Sequence, residues 1–152
     1  MIVIPNLQEL HQVDDVAWLE KTVELLKNRQ WECLDLENLI EELEDLGNEK
    51  RHAVESLLEQ IIRHCLLIEF WDVERDNNLY HWRAEIIGFR TQLKRRITTN
   101  LYNHLVRNQE AIYQDALKYV QVKTAFQIEF PASCPYTMKQ LLDIDWIPLV
   151  DR

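Results

Sequence analysis

The distribution of proline and glycine limits this chain to helical folds more than any other feature of its sequence. Residues 6–130 contain no proline, and the whole chain of 152 residues contains only two glycines, Gly47 and Gly88. Sheet proteins need turn residues about every 8–12 positions. A helix interior excludes these residues, because each Pro costs about 3 kcal/mol and each Gly about 1 kcal/mol. The sequence therefore predicts an all-α fold.

Apolar spacing places the first two helices. The first begins near Asp14 or Asp15, either of which can cap free backbone N–H groups. The second begins after Asp35 and continues to Phe70 or Trp71, with a kink or a buried polar contact expected between Gly47 and Arg51. Both carry apolar residues at intervals of three and four, the period of one helix face. These are Val16, Leu19, Val23 and Leu26 in the first helix, and Leu36, Leu39, Ile40, Leu43, Leu46, Val54, Leu57, Leu58, Ile61, Ile62 and Cys65 in the second.

The second half of the chain is expected to add two helices and an arm. Asp72–Asn78 has the composition of a turn, and a third helix with Trp82, Ile86, Phe89, Leu93 and Ile97 on one face follows it. A break is expected at Thr98–Asn100, before a fourth helix that could be in two pieces. Residues 123–152 contain three of the four prolines, the other being Pro5. They read as a C-terminal arm, in which Thr137 to Gln140 forms a capping box for one short helix.

These elements predict a single domain, an up-and-down helical bundle with long second and third helices. Residues 1–13 form an N-terminal extension, residues 14–122 the bundle and residues 123–152 the Pro-containing arm. A chain of this length can bury its own core without a disulfide. No apolar run approaches the roughly 20 residues that cross a bilayer, and the N-terminus lacks the basic region of a signal peptide. Three widely spaced cysteines indicate no disulfide framework, so we expect a soluble, cytoplasmic protein, with Cys65 as a small buried apolar residue.

Charge is unevenly distributed along the chain. The net charge is −9; residues 1–76 hold 19 acidic and seven basic residues, and residues 77–152 hold seven acidic and ten basic. The acidic total argues against nucleic-acid binding, which depends on cations that face phosphates. Most charged helix faces are simply solvated. The alternative is a partner surface, including self-association of the acidic end of one copy with the basic Arg83–Arg96 of another.

Motifs for common chemistry are absent from the sequence. The Glu49-x-x-His52 spacing of di-metal bundles occurs once, where such sites need it on two helices. There is no nucleophile motif around a serine or cysteine, and glycine is too scarce for a phosphate-binding loop. We therefore expect no metal and no cofactor.

Arg75 and His81 form the catalytic candidate. Arg75 to His81 is similar to the Arg–polar–His signature of HEPN ribonucleases, small helical bundles common in toxin–antitoxin pairs. In such enzymes a His moves a proton and an Arg stabilises developing charge on a phosphodiester. The motif is short and its information content is low.

Several polar residues fall at positions expected to lie between helices. Glu44, Arg51, His64, Trp82 and Arg83 could line a small polar pocket. The alternative is structural, since buried polar groups are normally hydrogen-bonded or ion-paired.

The chain resembles the bacterial domain of unknown function, family twenty-nine. The segments that carry this resemblance are Ala17–Glu20, Leu34–Gly47, His64, Trp82–Ile86, Arg90 and Cys134–Thr137. The resemblance implies an all-helical fold and supplies no activity.

The sequence thus predicts a non-enzymatic protein-interaction module that binds a protein partner or another copy of itself, without membrane contact. The alternative is a HEPN-like helical ribonuclease, the one case in which nucleic acid would be a partner.

Overall fold

Six α-helices make up most of the computed structural model, which describes residues 6–148. They are α1 (Leu7–Val13), α2 (Asp15–Lys27), α3 (Leu36–Phe70), α4 (Asp72–Arg96), α5 (Thr99–Lys123) and α6 (Met138–Leu142), with a 3₁₀ turn at Trp31–Cys33. Residues 6–148 contain no β-strand. The three long helices α3–α5 pack together, so the all-α bundle predicted from the sequence is confirmed.

The chain divides into two compact units, Met1–Glu49 and Lys50–Arg152. We call them the N-terminal and the C-terminal unit. The expectation of a single domain over residues 1–152 stays a prediction.

Local capping explains the helix ends of the N-terminal unit. Asp14 caps α2 as predicted, because its side chain accepts a hydrogen bond of 3.0 Å from the backbone N–H of Ala17. Asn6 caps α1 in the same way through Glu9 N, and this helix was not predicted. After α2, Arg29 adopts φ 55° while Gln30 N donates to Leu25 O. This is a Schellman ending built without glycine.

A tryptophan and an aspartate organise the interior of this unit. Trp18 is fully buried and Asp35 nearly so. Trp18 Nε1 donates to Asp35 Oδ2 at 3.2 Å, and Asn38 Nδ2 donates to the same oxygen at 2.7 Å. The buried face of α2 is Trp18, Thr22 and Leu25. The predicted apolar face of α2 is exposed instead, so its periodicity marks a helix but not the core (Val16, Leu19, Val23, Leu26).

Helix α3 is continuous through Gly47, and the kink or buried polar contact expected between Gly47 and Arg51 stays a prediction. Its apolar stripe divides into two parts. From Val54 to Ile68 the stripe is buried in the core of the C-terminal unit, and Cys65 is fully buried as predicted. Before Leu46 the same stripe is largely exposed.

The predicted turn at Asp72–Asn78 is wrong, because these residues form the first two turns of α4. Only Trp71 separates α3 from α4, and its ring stacks on Trp82 with centroids 6.1 Å apart. Acidic residues in a first turn favour a helix N-terminus, and Asn78 Nδ2 donates back to Glu74 O. Turn composition therefore does not prevent a helix here.

The remaining helix boundaries follow the prediction. A break separates α4 from α5, and Thr98 caps α5 through Leu101 N. Helix α5 is one piece, not two. The predicted capping box of Thr137 and Gln140 begins α6. The core of the C-terminal unit joins α3, α4, α5 and the arm, and includes Leu58, Ile61, Ile86, Leu105, Tyr113 and Leu141.

Candidate interaction surface

The most unusual surface of the N-terminal unit is the exposed part of the α3 stripe. Leu36, Ile40, Leu43 and Leu46 are between 48% and 59% exposed. Their spacing of four, three and three puts them on one face. We call these four residues the α3 seam. Farther along the same helix this face becomes core (Val54, Leu58, Ile61). The α3 seam therefore has core-like chemistry, but no part of residues 6–148 covers it.

Acidic side chains border the α3 seam. Glu37, Glu41 and Glu44 are exposed and lie at i, i+4 and i+7, which forms a ridge along one side of the seam. The exposed stripe of α2 adds a second apolar face in the same unit (Val16, Leu19, Val23, Leu26). The surface therefore combines exposed aliphatic side chains with carboxylates.

The net negative charge of the chain comes entirely from the N-terminal unit. Met1–Glu49 holds 13 acidic and three basic residues, a net charge of −10, where the whole chain carries −9. Lys50–Arg152 holds 13 acidic and 14 basic residues, which leaves +1. The exposed aliphatic residues thus lie in a strongly negative field.

Arg90 fixes the C-terminal arm and was not among the predicted site residues. It is 3% exposed, and its guanidinium donates to the carbonyl oxygens of Leu141 (2.8 Å), Trp146 (2.5 Å) and Gln140 (3.1 Å). Burial lowers the pKa of Arg90. The sequence contains an indication that Arg90 is buried, because Arg90 shares a helix face with Ile86 and Leu93 at i, i+4 and i+7.

A second polar contact joins the arm to α3. The Tyr136 hydroxyl donates to Glu69 Oε2 at 2.7 Å, and burial raises the pKa of that hydroxyl. Nearby, burial raises the pKa of the Cys65 thiol to about 12, so Cys65 has little thiolate character. Tyr136 and Cys65 therefore fit roles in holding and packing the arm and the core.

Arg75, the first catalytic candidate, holds the end of α3. Its Nε donates to Ile68 O at 2.6 Å, one Nη donates to Glu69 O at 2.8 Å, and it pairs with Asp72. His81 is exposed on α4, six residues and so about 120° around the helix from Arg75. The guanidinium is therefore occupied by carbonyl groups of the chain itself.

The five predicted pocket residues occupy different environments. Glu44 is exposed in the N-terminal unit, Arg83 is exposed on α4, and Arg51 is half-buried. Trp82 is buried against Trp71. His64 is half-buried, with Nδ1 2.7 Å from Gln60 O and its ring 5.5 Å from that of Phe89. Burial lowers the pKa of His64. The shared pocket stays a prediction.

A shallow polar groove of about 280 Å³ lies between α3 and α5 in the C-terminal unit. Its lining includes His52, Glu55, Glu59 and Asp115. His104 Nε2 is 2.8 Å from Glu55 Oε1, which ties α5 to α3. Among residues 6–148, no group of three or more His, Cys, Asp or Glu side chains has the arrangement of a metal site.

The N-terminal unit carries a larger open groove of about 660 Å³. Leu7, Leu10 and Leu25 form its apolar part, and Glu20 and Lys21 are among its polar residues. It lies where α1 meets α2, whereas the α3 seam belongs to the following helix. In the described part of the chain, no helix has both the length and the apolar composition needed to cross a membrane.

Comparison with protein families gives a match over most of the chain. The family model described as "Domain of unknown function DUF29" matches residues 10–147, which confirms the resemblance noted in the sequence. No curated protein and no solved structure matches the chain.

Proposed function

Because the chain belongs to the family described as Domain of unknown function DUF29, whose description names no activity, we propose its function from its own surface. The protein is a non-enzymatic interaction module that binds a protein helix on the α3 seam. The observation that carries this proposal is the half-exposed state of Leu36, Ile40, Leu43 and Leu46 on a face that is core farther along the same helix.

The energetics support a protein partner. Fully burying a Leu or Ile side chain is worth about 1.5–3 kcal/mol relative to leaving it exposed. Four half-exposed side chains in one row therefore offer a substantial driving force, from which the cost of association is subtracted. A contiguous apolar surface rimmed by polar groups is typical of protein-binding sites.

The charge of the unit defines the chemistry of the partner. A net charge of −10 around the α3 seam repels acidic surfaces and attracts basic ones at distances up to about 10 Å at ordinary salt. Anionic lipid surfaces are disfavoured for the same reason. The fitting partner is an amphipathic helix with aliphatic residues on one face and Lys or Arg beside them, which binds as a helix in a groove or along a seam.

Site-specific photocrosslinking in cells tests this function. Benzoylphenylalanine replaces Ile40 in one variant and Lys118, an exposed residue of α5, in the control. We expect discrete ultraviolet-dependent protein adducts at the Ile40 position, which mass spectrometry maps to a helix with aliphatic and basic residues. Equal adduct yields at the two positions, or adducts that map to segments without basic residues, would contradict the proposal.

A further inference from the structure

A second exposed apolar row lies on the outer face of α4. Val73, Tyr80 and Ile87 are between 49% and 81% exposed. Their spacing of seven residues places them on one helix face. The opposite face of α4 carries the buried Trp82, Ile86 and Leu93. We call Val73, Tyr80 and Ile87 the α4 seam.

The border of the α4 seam is basic towards its C-terminal end, unlike the acidic border of the α3 seam. Arg83 and Lys94 are exposed on one side of it and Arg95 on the other, while Asp76 lies towards its N-terminal end. Gly88 lies beside Ile87, and a side chain added there would meet no atom within 4 Å. Packing within the chain therefore does not require this glycine, which lowers the surface so that another helix can approach.

We propose that the α4 seam of a second copy of this chain is the partner that covers the α3 seam. This inference rests on the proposed function and names its partner. The α4 seam is long enough to cover the α3 seam, because Val73 to Ile87 spans about 21 Å and Leu36 to Leu46 about 15 Å at 1.5 Å per residue. The aliphatic and aromatic side chains of the α4 seam pack on the aliphatic side chains of the α3 seam. Beside them, the basic Arg83 and Lys94 of one copy face the acidic residues that border the α3 seam of the other (Glu37, Glu41, Glu44).

Charge decides between two ways in which copies could associate. Packing the α3 seam against the same seam of another copy brings together two units of −10 each, with like charges beside the contact. Like-charge contacts suppress association. Packing the α3 seam of one copy against the α4 seam of another removes that repulsion. The contact is therefore heterologous, because the two copies contribute different surfaces.

Sedimentation velocity on the full chain tests the proposal. In about 50 mM salt we expect concentration-dependent species heavier than the 18.3 kDa monomer, and in about 500 mM salt a shift towards monomer. The double variant Glu41→Lys, Glu44→Lys should weaken self-association by more than about tenfold, and so should Arg83→Glu, Lys94→Glu. A wild-type chain that stays monomeric across salt and concentration overturns the proposal.

Mixing the two double variants provides the decisive control. Each carries the reversed charge that the other needs, so an equimolar mixture should regain the heavier species that neither forms alone. A matched pair, Glu129→Lys and Lys118→Glu, reverses one exposed acid and one exposed base outside both seams and should behave like wild type. Failure of the mixture to recover, or loss of association in the matched pair, overturns this interface.

The crosslinking experiment separates this inference from the function on which it rests. Adducts from Ile40 that map to residues 73–95 of the same chain support a second copy as the partner. Adducts that map to a basic helix of another protein overturn the self-association and leave the proposed function in place. Equal adduct yields at the Ile40 and Lys118 positions overturn both.

Discussion

Arg90 shows how one buried side chain can hold a segment that has little regular structure. Its guanidinium bonds three backbone carbonyls of the arm, at Gln140, Leu141 and Trp146. Hydrogen bonds to charged groups are worth about 1.5–3 kcal/mol each, and carbonyls left buried without a partner carry a desolvation penalty. Lys could not replace it, because a single ammonium lacks the planar fork that reaches several acceptors.

We expect Arg90→Met to lower the free energy of unfolding by about 2–4 kcal/mol, because three carbonyls of the arm lose their donor. Urea unfolding followed by circular dichroism measures the change. Arg107→Met is the matched control, since Arg107 is an exposed arginine on α5, and its effect should stay within about 0.5 kcal/mol. Equal effects of the two substitutions would show that Arg90 does not hold the arm.

His64 makes the stability of the fold depend on pH. Burial lowers its pKa from the ordinary value of 6.5, so the unfolded chain takes up the proton more readily than the folded one. Neutral His64 therefore contributes to the free energy of unfolding above pH 6.5. This contribution is lost as the pH falls from 6.5 through the lower pKa of the folded state. Glu85 opposes this shift, whereas His81 and Lys123 add to it.

In urea titrations between pH 7.5 and 5.5, we expect wild-type stability to fall more steeply towards low pH than that of His64→Gln, which cannot titrate in this range. The difference between the two curves isolates His64 from carboxylates that titrate in both proteins. Parallel curves would mean that His64 has the same pKa in the folded and unfolded chains.

Capping residues were predictable from sequence because their chemistry is local. Asp14 and Thr137 satisfy N–H groups three residues away, and no tertiary information is needed to expect that. Arg90 shares the phase of Ile86 and Leu93, but the phase of a charged residue does not indicate which groups it contacts. Its acceptors lie about 50 residues farther along the chain, and local patterns do not report such distances.

At the scale of whole elements, periodicity predicted where helices form but not which faces are covered. The stripe of α3 keeps one phase from Leu36 to Cys65, yet it is exposed at Leu43 and buried at Leu58. Coverage depends on the elements that pack against the stripe, and the sequence of α3 contains no information about them. The same holds for α2, where Trp18 rather than Leu19 is buried.

A pair of substitutions on α3 checks this division. Leu58→Ala should cost about 2–5 kcal/mol of unfolding free energy, since it leaves a cavity in the core. Leu43→Ala should change stability by no more than about 0.5 kcal/mol at protein concentrations low enough to keep the chain monomeric. Similar losses for both substitutions would show that the α3 seam is covered within the monomer.

For the molecule as a whole, the sequence predicts how charge is distributed between its two halves. It does not indicate an activity. The excess of acids in the first half became a unit of −10 in the structure. The family match spans nearly the whole chain without naming a reaction. The ribonuclease alternative depended on two side chains, and Arg75 is engaged by carbonyls at the end of α3.

Incubation of the purified protein with total RNA should give no cleavage, and Arg75→Ala and His81→Ala should give the same result. Arg75→Ala should instead lower stability, since Ile68 and Glu69 lose a donor to their carbonyls. Cleavage by the wild-type protein that both substitutions abolish would restore the enzymatic alternative.

The bonds that Arg90 makes have a consequence for how this chain can diverge. Its acceptors are main-chain oxygens, which every amino acid provides. Hydrogen bonding to Arg90 therefore does not require particular residues at these three positions of the arm. Substitution there is limited only by local packing, as for Leu141 in the core. The arm can therefore change its outward side chains, and with them its outer surface, without losing the hydrogen bonds from Arg90.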